Sequence, residues 1–376
     1  MAAKPRFDGE WVRLGELTSC ISKKNKDGRC ATVCSVTNSQ GFVLSTEFFT
    51  KEVFSKELRT YKLVERNQLA YNPSRINVGS IALQDIADEV VVSPLYIVFA
   101  VDASRIDSSY LLRYLKSRPG LKQVEFNSIG TVRNNLKYDG LCQISVPLPS
   151  LEVQRSRVRS LIALETEIKE GEETLSKLDV LVKSRFAEMF GNANDIEEKW
   201  ALEALIDCVN SIESGRSPKC QAVARKGTEP GVLKLSALSS GVFLPGENKA
   251  MCVGEKIESS KEVVRGDILV ARKNTPELVG ACAIVREEVT NLMFPDIVFR
   301  MHPKEDVNGD YLSALLSSPS YSAKVKSLAH GSNRSMSNIP KSELAGIPIP
   351  VPPLHLQQEF AAFVARVDKS RFVVRS

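Results

Sequence analysis

The sequence predicts an α+β protein built from two copies of one globular α/β domain, each copy followed by a helix. Three observations carry this prediction. Four phrases recur in the same order, about 190–200 residues apart. Each copy is rich in short β-like runs punctuated by turn residues. A forty-residue run between the copies spaces its apolar residues by threes and fours, the pattern of a helix with one apolar seam.

The repeat is read from paired phrases. "WVRLGELTSC" at Trp11 resembles "WALEALIDC" at Trp200, with Leu14, Leu17 and Cys20 set against Leu202, Leu205 and Cys208. The two tryptophans read as packing anchors that open each copy. "SPLYIVF" (93–99) resembles "FPDIVF" (294–299), and "DSSYLLRYLKS" (107–117) resembles "NGDYLSALLSS" (308–318). "LKYDGLCQISVPLPSLEVQ" (136–154) resembles "IPKSELAGIPIPVPPLHLQ" (339–357). The offset grows slowly, as a few small insertions would make it. Residues 21–66 and 209–265 share little, so a common scaffold holds divergent interiors.

In the first copy "ATVCSVT", "GFVLST", "YKLVE", "QLAYN" and "EVVVSPLYIVFAV" read as strands separated by Asn-Ser, Gly and Asn-Pro-Ser turns. In the second, "GVLKLSAL", "EVVRGDILVAR", "ACAIVREEV" and "DIVFRMH" do the same. Asp107 and Asn308 each precede a Tyr-Leu-x-x-(Tyr/Leu)-Leu run and predict capped helices. Tyr110 and Tyr311 read as core residues of those helices. Each Pro-rich segment then leads into a helix, because proline suits a helix start and not its interior.

The first such helix spans about Leu151 to Phe190, or roughly 60 Å at ~1.5 Å per residue. Its pairing residues are Leu161, Leu164, Ile168, Leu175, Leu178, Val182 and Met189, with Gly171 and Arg185 as weak seats. "ETEIKEGEETLSK" forms its solvated face. The partner is the second helix, 354–376, through Leu356, Phe360, Phe363 and Val367, with Val364 beside them.

Composition sets few further limits. The 376 residues are 43% hydrophobic and 25% charged, with net charge +5, which permits a polyanionic partner without demanding one. No run approaches the ~18–20 apolar residues of a membrane span, and the first residues carry no apolar signal core. Eight cysteines stand without a Cys-x-x-Cys pair and read as buried reduced thiols; the three histidines (302, 330, 355) lack metal-ligand spacing.

With the duplication and the long helix in place, "IPIPVPPLHLQQEF" and its weaker twin "ISVPLPSLEVQRSR" make the chain resemble the specificity subunit of a type I restriction–modification system over essentially its whole length. That resemblance implies a fold of two tandem α/β target recognition domains, 1–150 and 193–352, separated by long antiparallel coiled-coil helices. Residues 151–192 would be the central conserved spacer helix, and 353–376 the distal conserved helix. The resemblance implies double-stranded DNA as ligand, one domain reading each half of a split site. Two methyltransferase subunits dock on the helices, and two restriction/translocase subunits can join them. The chain itself would catalyse nothing and hold no cofactor, since S-adenosylmethionine would bind the methyltransferase subunit. It would act on DNA in a bacterial or archaeal cytoplasm, away from any membrane. The distal helix departs from the family pattern: at about 23 residues against 40 it is short for full pairing and looks truncated.

Candidate DNA contacts are polar residues of turn-rich segments. Asn72, Ser74, Arg75 and Asn77 lie in "AYNPSRINVGS", and Arg133, Asn134, Asn135 and Lys137 in "GTVRNNLKY". In the second copy Arg272, Lys273 and Asn274 occupy the place of the Asn72 segment, and Asn333, Arg334, Ser335 and Ser337 mirror the Arg133 segment. Arg216 and Lys219 add to these, and "SKKNK" (22–26) could touch phosphates. Arginine can pair with a guanine edge and asparagine with adenine. A rigid helical spacer suits two half-sites that lie about 34 Å apart per DNA turn.

Signatures of catalysis are missing from the sequence. The nearest approach to an Asn/Asp-Pro-Pro-aromatic methyltransferase motif is "NPSR" (72–75), which lacks the second proline and the aromatic. No Gly-rich cofactor loop and no Gly-x-x-x-x-Gly-Lys is present. The alternative to a DNA reader is a coiled-coil scaffold or adaptor with duplicated domains and no nucleic-acid role. A self-contained modification enzyme ranks third.

Overall fold

A computed structural model describes residues 10–48, 57–128, 135–192, 195–331 and 336–375. It divides into two compact units, Met1–Ile168 and Lys169–Ser376.

Unit 1 opens with strands β1 (Glu10–Arg13) and β2 (Thr18–Ile21). Its other main elements are β3 (Leu69–Tyr71), β4 (Ile81–Leu83), β5 (Ile97–Val101), helices α1 (Ser108–Lys116) and α2 (Arg118–Phe126), β6 (Ser145–Leu148), and the start of α3 (Leu151–Phe190). Strands β2, β5, β3 and β4 form an antiparallel sheet in that order. Successive side chains of a strand point to opposite faces. Leu69, Tyr71 and Phe99 therefore join the core with Leu111 and Val124, while Ala70 and Val98 join a second cluster with Val64 and Val90. The Asp107 carboxylate accepts the Tyr110 N–H at 3.0 Å and starts α1. Ser117 accepts the Gly120 N–H at 3.3 Å and starts α2. A Cβ at Gly120 would run into the Tyr114 carbonyl, so this corner requires glycine.

Unit 2 repeats the plan: β7 (Leu202–Ala204), β8 (Val209–Ser214), β9 (Ile268–Ala271), β10 (Cys282–Ile284), β11 (Val298–Pro303), α4 (Gly309–Ser317), α5 (Pro319–Ser327), β12 (Pro348–Pro350) and α6 (Leu354–Arg375). Its sheet has the order β8, β11, β9, β10, again antiparallel and so the same topology as unit 1. Ile268, Val270 and Phe299 face the main core with Leu312, and Leu269 and Val298 face a second cluster with Phe243. Asn308 accepts the Asp310 and Tyr311 N–H groups at 2.9 and 3.3 Å and starts α4.

The backbone corrects the pairing of the opening phrases. Leu14 N–H donates to Ile144 O and Leu205 N–H to Ile347 O, both at 2.9 Å. Asp102 N–H donates to Leu17 O and Lys304 N–H to Cys208 O. The counterparts of Leu14 and Leu17 are therefore Leu205 and Cys208, all four fully buried. Trp11 lies opposite Pro147 in the antiparallel pair β1–β6, and Leu202 lies opposite Pro350 in β7–β12. Trp11 therefore corresponds to Leu202, and both are exposed, at 59% and 48%. Trp11 is no buried anchor; it meets Tyr114 edge-on at 6.4 Å. Trp200 does anchor, its indole N–H donating to Phe190 O at 3.0 Å at the end of α3.

Each junction between domain and helix is fixed by a fully buried glutamine. The Gln154 carbonyl accepts Asp107 N–H at 2.8 Å, and its amide donates to Pro149 O at 2.8 Å and Arg105 O at 3.0 Å. The Gln357 carbonyl accepts Asn308 N–H at 2.8 Å, and its amide donates to Pro352 O at 2.7 Å. One side chain thus ties the amide before a domain helix to the Pro-rich turn before the next helix. Tyr110 and Tyr311, buried as expected, donate their hydroxyls to Pro147 O and Pro350 O at 2.8 and 2.7 Å.

Within unit 2, α6 runs antiparallel to the distal part of α3. Phe360 packs on Phe186 and Phe190, with ring centroids 5.5 and 5.7 Å away. Arg185 pairs with Glu359 at 2.8 Å, Arg371 pairs with Asp179, and Val374 reaches Gly171. Val182, Met189 and Leu356 pack against this core, Val364 and Val367 are buried, and Leu175, Leu178 and Phe363 are half-buried. Phe186 and Phe190 carry the contact although the seam skipped them; α3 is covered there by the domain as well as by α6, which rotates its buried face. The seam fails at Leu161, Leu164 and Ile168, which are 43%, 54% and 63% exposed. The described contacts of α6 along α3 extend from Phe190 back to Gly171 and no further.

No helix among the described residues is long and apolar enough to cross a membrane. The described cysteines are all free. Cys30, Cys34, Cys208 and Cys282 are buried, but Cys142, Cys220 and Cys252 are only partly so and Cys20 is exposed, which corrects the expectation of uniformly buried thiols.

Candidate nucleic-acid interface

In each unit the loop after the third sheet strand is held against a segment that precedes the domain–helix junction. In unit 1 the loop after β3 folds on itself: Asn72 accepts the Ser74 N–H at 3.0 Å through its side chain and the Arg75 N–H at 3.0 Å through its carbonyl. The Ser74 hydroxyl then donates to the Asn135 side-chain carbonyl at 2.5 Å, and Leu136 N–H to Pro73 O at 3.1 Å. Asn72, Ser74, Arg75, Asn77, Asn135 and Lys137 are therefore brought together, although they are far apart in sequence. Arg75, Asn77 and Lys137 are exposed. Arg133 and Asn134 lie outside the described residues.

Unit 2 builds the same junction with other side chains. Lys273 and Asn274 pair with Asn338 and Ser337 as a short antiparallel ladder, and Ile339 N–H donates to Arg272 O at 2.9 Å, the counterpart of the Leu136–Pro73 bond. The Arg272 guanidinium donates to the Asn338 side-chain carbonyl at 3.1 Å and lies 5.3 Å over the Phe299 ring. It is held in place by these contacts more than it is free. Asn274 departs from the expectation of an exposed contact: it is buried, its side-chain carbonyl accepts Thr275 N–H at 2.9 Å, and its amide nitrogen has no partner among the described residues. Ladder pairing turns that side chain inward. Asn333, Arg334 and Ser335 lie outside the described residues. Arg216 N–H donates to Phe294 O and Arg272 N–H to Ile297 O, so both arginines hang on the 294–297 stretch. The Arg216 side chain pairs with Glu258 at 3.3 Å, and Lys219 is exposed.

Pairing sorts the cations further. Lys23 of the "SKKNK" stretch pairs with Glu65 at 2.7 Å, and that hydrogen bond raises its pKa. Asn25 is buried and braces its loop through Cys30. Arg29 pairs with Glu89 and Arg66 with Asp88. Arg113 makes a two-point pair with Glu165 on α3, which holds the Glu165 carboxyl below the usual range. These cations are already neutralised, whereas Arg75 and Lys137 have no carboxylate within ion-pair distance among the described residues.

Burial pushes the Cys34 and Cys208 thiols up to about 11 and Cys282 to about 12, so they stay protonated and unreactive at neutral pH. Burial also raises the carboxyl of Asp267, which accepts Val264 N–H at 2.9 Å and faces Arg300 at 3.8 Å, a structural tie. Among the described residues no group of His, Cys, Asp and Glu could hold a metal ion. The residues that the sequence reading passed over are Gln154 and Gln357. They stand in both copies of the junction phrase, and that recurrence of a polar residue was the available signal.

No family model matches the chain. It is 28% identical over 160 residues to the type I restriction enzyme EcoEI specificity subunit of Escherichia coli, a stretch covering 42% of this chain and 27% of that protein. It is 24% identical over 227 residues to the type I restriction enzyme EcoKI specificity subunit of Escherichia coli strain K12, covering 57% of this chain and 49% of that protein. The matched stretches thus span half or less of those relatives' length. Among solved structures, the type I restriction-modification system S subunit from M. genitalium superposes with a TM-score of 0.60 at 12% identity, over 100% of this chain and 93% of that one. The chain is similar in sequence to type I specificity subunits, and it has the fold of one.

Proposed function

We propose that the chain is the DNA-specificity subunit of a type I restriction–modification complex. Residues 1–150 and 193–352 serve as target recognition domains, each reading one half of a bipartite site. The helices 151–192 and 353–376 dock methyltransferase subunits, and through them restriction/translocase subunits. The chain works on DNA in the cytoplasm and performs no chemistry; S-adenosylmethionine belongs to the methyltransferase partner.

One observation carries this reading. The two units keep the same sheet order, the same glutamine tie and the same tyrosine bond to the junction strand, while the polar loops mounted on that frame differ. A frame conserved to individual hydrogen bonds with divergent polar loops suits one task on two different half-sites. The named relatives support the same reading. The test is co-expression with a cognate methyltransferase subunit and mapping of methylated positions in the host genome. Two short sequence blocks separated by an unspecific gap are expected. A continuous motif, or none from a verified complex, overturns the proposal. An adaptor without a nucleic-acid role would show no duplex binding that weakens as salt rises.

A further inference from the structure

A concavity occurs at one repeat position in both units. In unit 1 it measures about 390 Å³ and is lined by Asn77, Arg118, Leu121, Lys122 and Glu125, where α2 faces the loop after β3. Shifted by 201, the offset that carries Asp107 onto Asn308, these positions fall on 278, 319, 322, 323 and 326. Four of the five, Leu278, Pro319, Ser322 and Lys326, line a larger concavity of about 540 Å³ in unit 2. The place is a property of the repeated frame, and its lining is not.

We propose that the unit 1 concavity is a seat for the DNA backbone, in which Arg118 and Lys122 each neutralise a phosphate while the adjoining 72–77 loop faces base edges. This rests on the DNA-reading function proposed above. Both side chains are exposed, and neither has a carboxylate within ion-pair distance among the described residues, unlike Lys23, Arg29, Arg66 and Arg113. They are four residues apart on α2, so their Cβ atoms lie ~5–6 Å apart on one helix face. The helix that carries them is rigidly placed: Ser117 caps it, the Gly120 corner admits no side chain, and Val124 is fully buried. Asn77 lines the same concavity and stands two residues beyond Arg75, so a phosphate seated there lies beside the candidate reading loop. Glu125 shares the wall and forms no ion pair with Lys122, leaving a net positive seat. In unit 2 the equivalent helix offers Lys326 and the Ser322 hydroxyl at this place, while its Lys324 is held by Glu197. On this helix unit 2 therefore offers one such charge contact, from Lys326.

Neutralising phosphates releases counterions, so each lost contact lowers the slope of log affinity against log salt by about 0.9. The full chain is titrated with a mixed-sequence duplex across a salt series. Arg118→Ala with Lys122→Ala should lower the slope by about 2, Lys326→Ala by about 1, and Arg118→Lys with Lys122→Arg should restore it. Affinity should fall equally for every duplex sequence. A wild-type chain with a steep slope that the double alanine variant retains overturns the seat and leaves the DNA-reading function standing. A loss confined to particular sequences also overturns it, since the pair would then read bases. A wild-type chain that binds no duplex overturns the function itself. Both side chains are exposed, so an unchanged melting curve for each variant shows that the readout is binding and not folding.

Discussion

In unit 1 the second hydroxyl that reaches the junction strand belongs to Tyr114, which donates to Ser145 O at 3.0 Å; in unit 2 it belongs to Tyr321, which donates to Pro348 O at 3.0 Å. The two carbonyls are equivalent in the repeat, but the two tyrosines are not. Tyr114 sits near the end of α1, where α4 carries Leu315. Tyr321 sits in the first turn of α5, where α2 carries Gly120, the glycine whose corner has no room for a side chain. The bond survived while its donor moved from one helix to the next. What the two units share is therefore a set of hydrogen-bonded positions more than a set of residues.

The units also differ in how a helix is held. Unit 2 clasps two helices through Phe186, Phe190, Phe360 and Tyr311, whereas unit 1 holds the first turns of α3 through Gln154, Val158 and the Arg113–Glu165 pair. The position equivalent to Phe360 in unit 1 is Arg157, which is exposed. The largest expected effect follows from this. Phe360→Ala should destabilise unit 2 by about 3–5 kcal/mol, the cost of truncating a buried aromatic, with unit 1 unaffected. Peptide-resolved hydrogen exchange reads the two units separately. Equal loss of protection in both would mean that they unfold as one, and the contrast would fail.

The glutamine ties predict the opposite, effects equal to within the one extra bond that Gln154 makes to Arg105 O. Gln154→Leu and Gln357→Leu each leave a buried amide N–H and a proline carbonyl without a partner, at about 1–3 kcal/mol. Two losses that differ by more than ~1 kcal/mol, the worth of one hydrogen bond, would show that the junctions are alike in sequence but not in energetics.

The hydroxyl swap gives a smaller and pH-dependent difference. Tyr114→Phe and Tyr321→Phe should each cost about 1 kcal/mol. The single Tyr321 proton is shared between Pro348 O and a Glu197 carboxylate oxygen 2.6 Å away, and the Glu197 carboxyl is held below its ordinary value by Lys324 first and Tyr321 second. A carboxyl with a lowered folded-state pKa adds stability above its unfolded value, and that stability is lost as pH falls through the lowered one. Urea unfolding of unit 2 should therefore weaken on acidification below about 4.5, the ordinary glutamate value. Tyr321→Phe should move that loss to higher pH, toward the ordinary value. An acid limb that the substitution does not move would show that Lys324 alone sets it.

The parts legible in the sequence were those with a local physical signature. Asp107 and Asn308 were readable as caps, the Pro-rich phrase as a junction, and α3 by its apolar spacing, because caps, prolines and helical period act within a few residues. Identity misled where the repeat keeps position and not residue. The eye pairs Trp11 with Trp200, but the backbone pairs Trp11 with Leu202, since both face solvent from the same strand position. Asn274 looked like an exposed contact, and ladder pairing with Ser337, sixty residues on, buries it. The partnership of Ser74 with Asn135 and of Arg272 with Asn338 is equally non-local, so the candidate residues could be named singly but not seen to converge.

The smallest effect is expected on α3 itself, and it separates the helix's two halves. Leu161, Leu164 and Ile168 continue the apolar spacing of Leu175, Leu178 and Val182, so by sequence the six are one seam. In the structure the first three are 43–63% exposed and the last three are half-buried against neighbours. Changing an exposed leucine removes little area from the core, and surface substitutions generally stay within about ±0.5 kcal/mol. Serine is also only slightly worse than leucine in a helix. Leu161→Ser, Leu164→Ser and Ile168→Ser should thus leave the unfolding midpoint of the isolated chain nearly unchanged, while Val182→Ser should lower it measurably through lost burial. If the first three cost as much as Val182→Ser, the proximal stripe is covered in solution, and the difference between the two halves of the helix disappears.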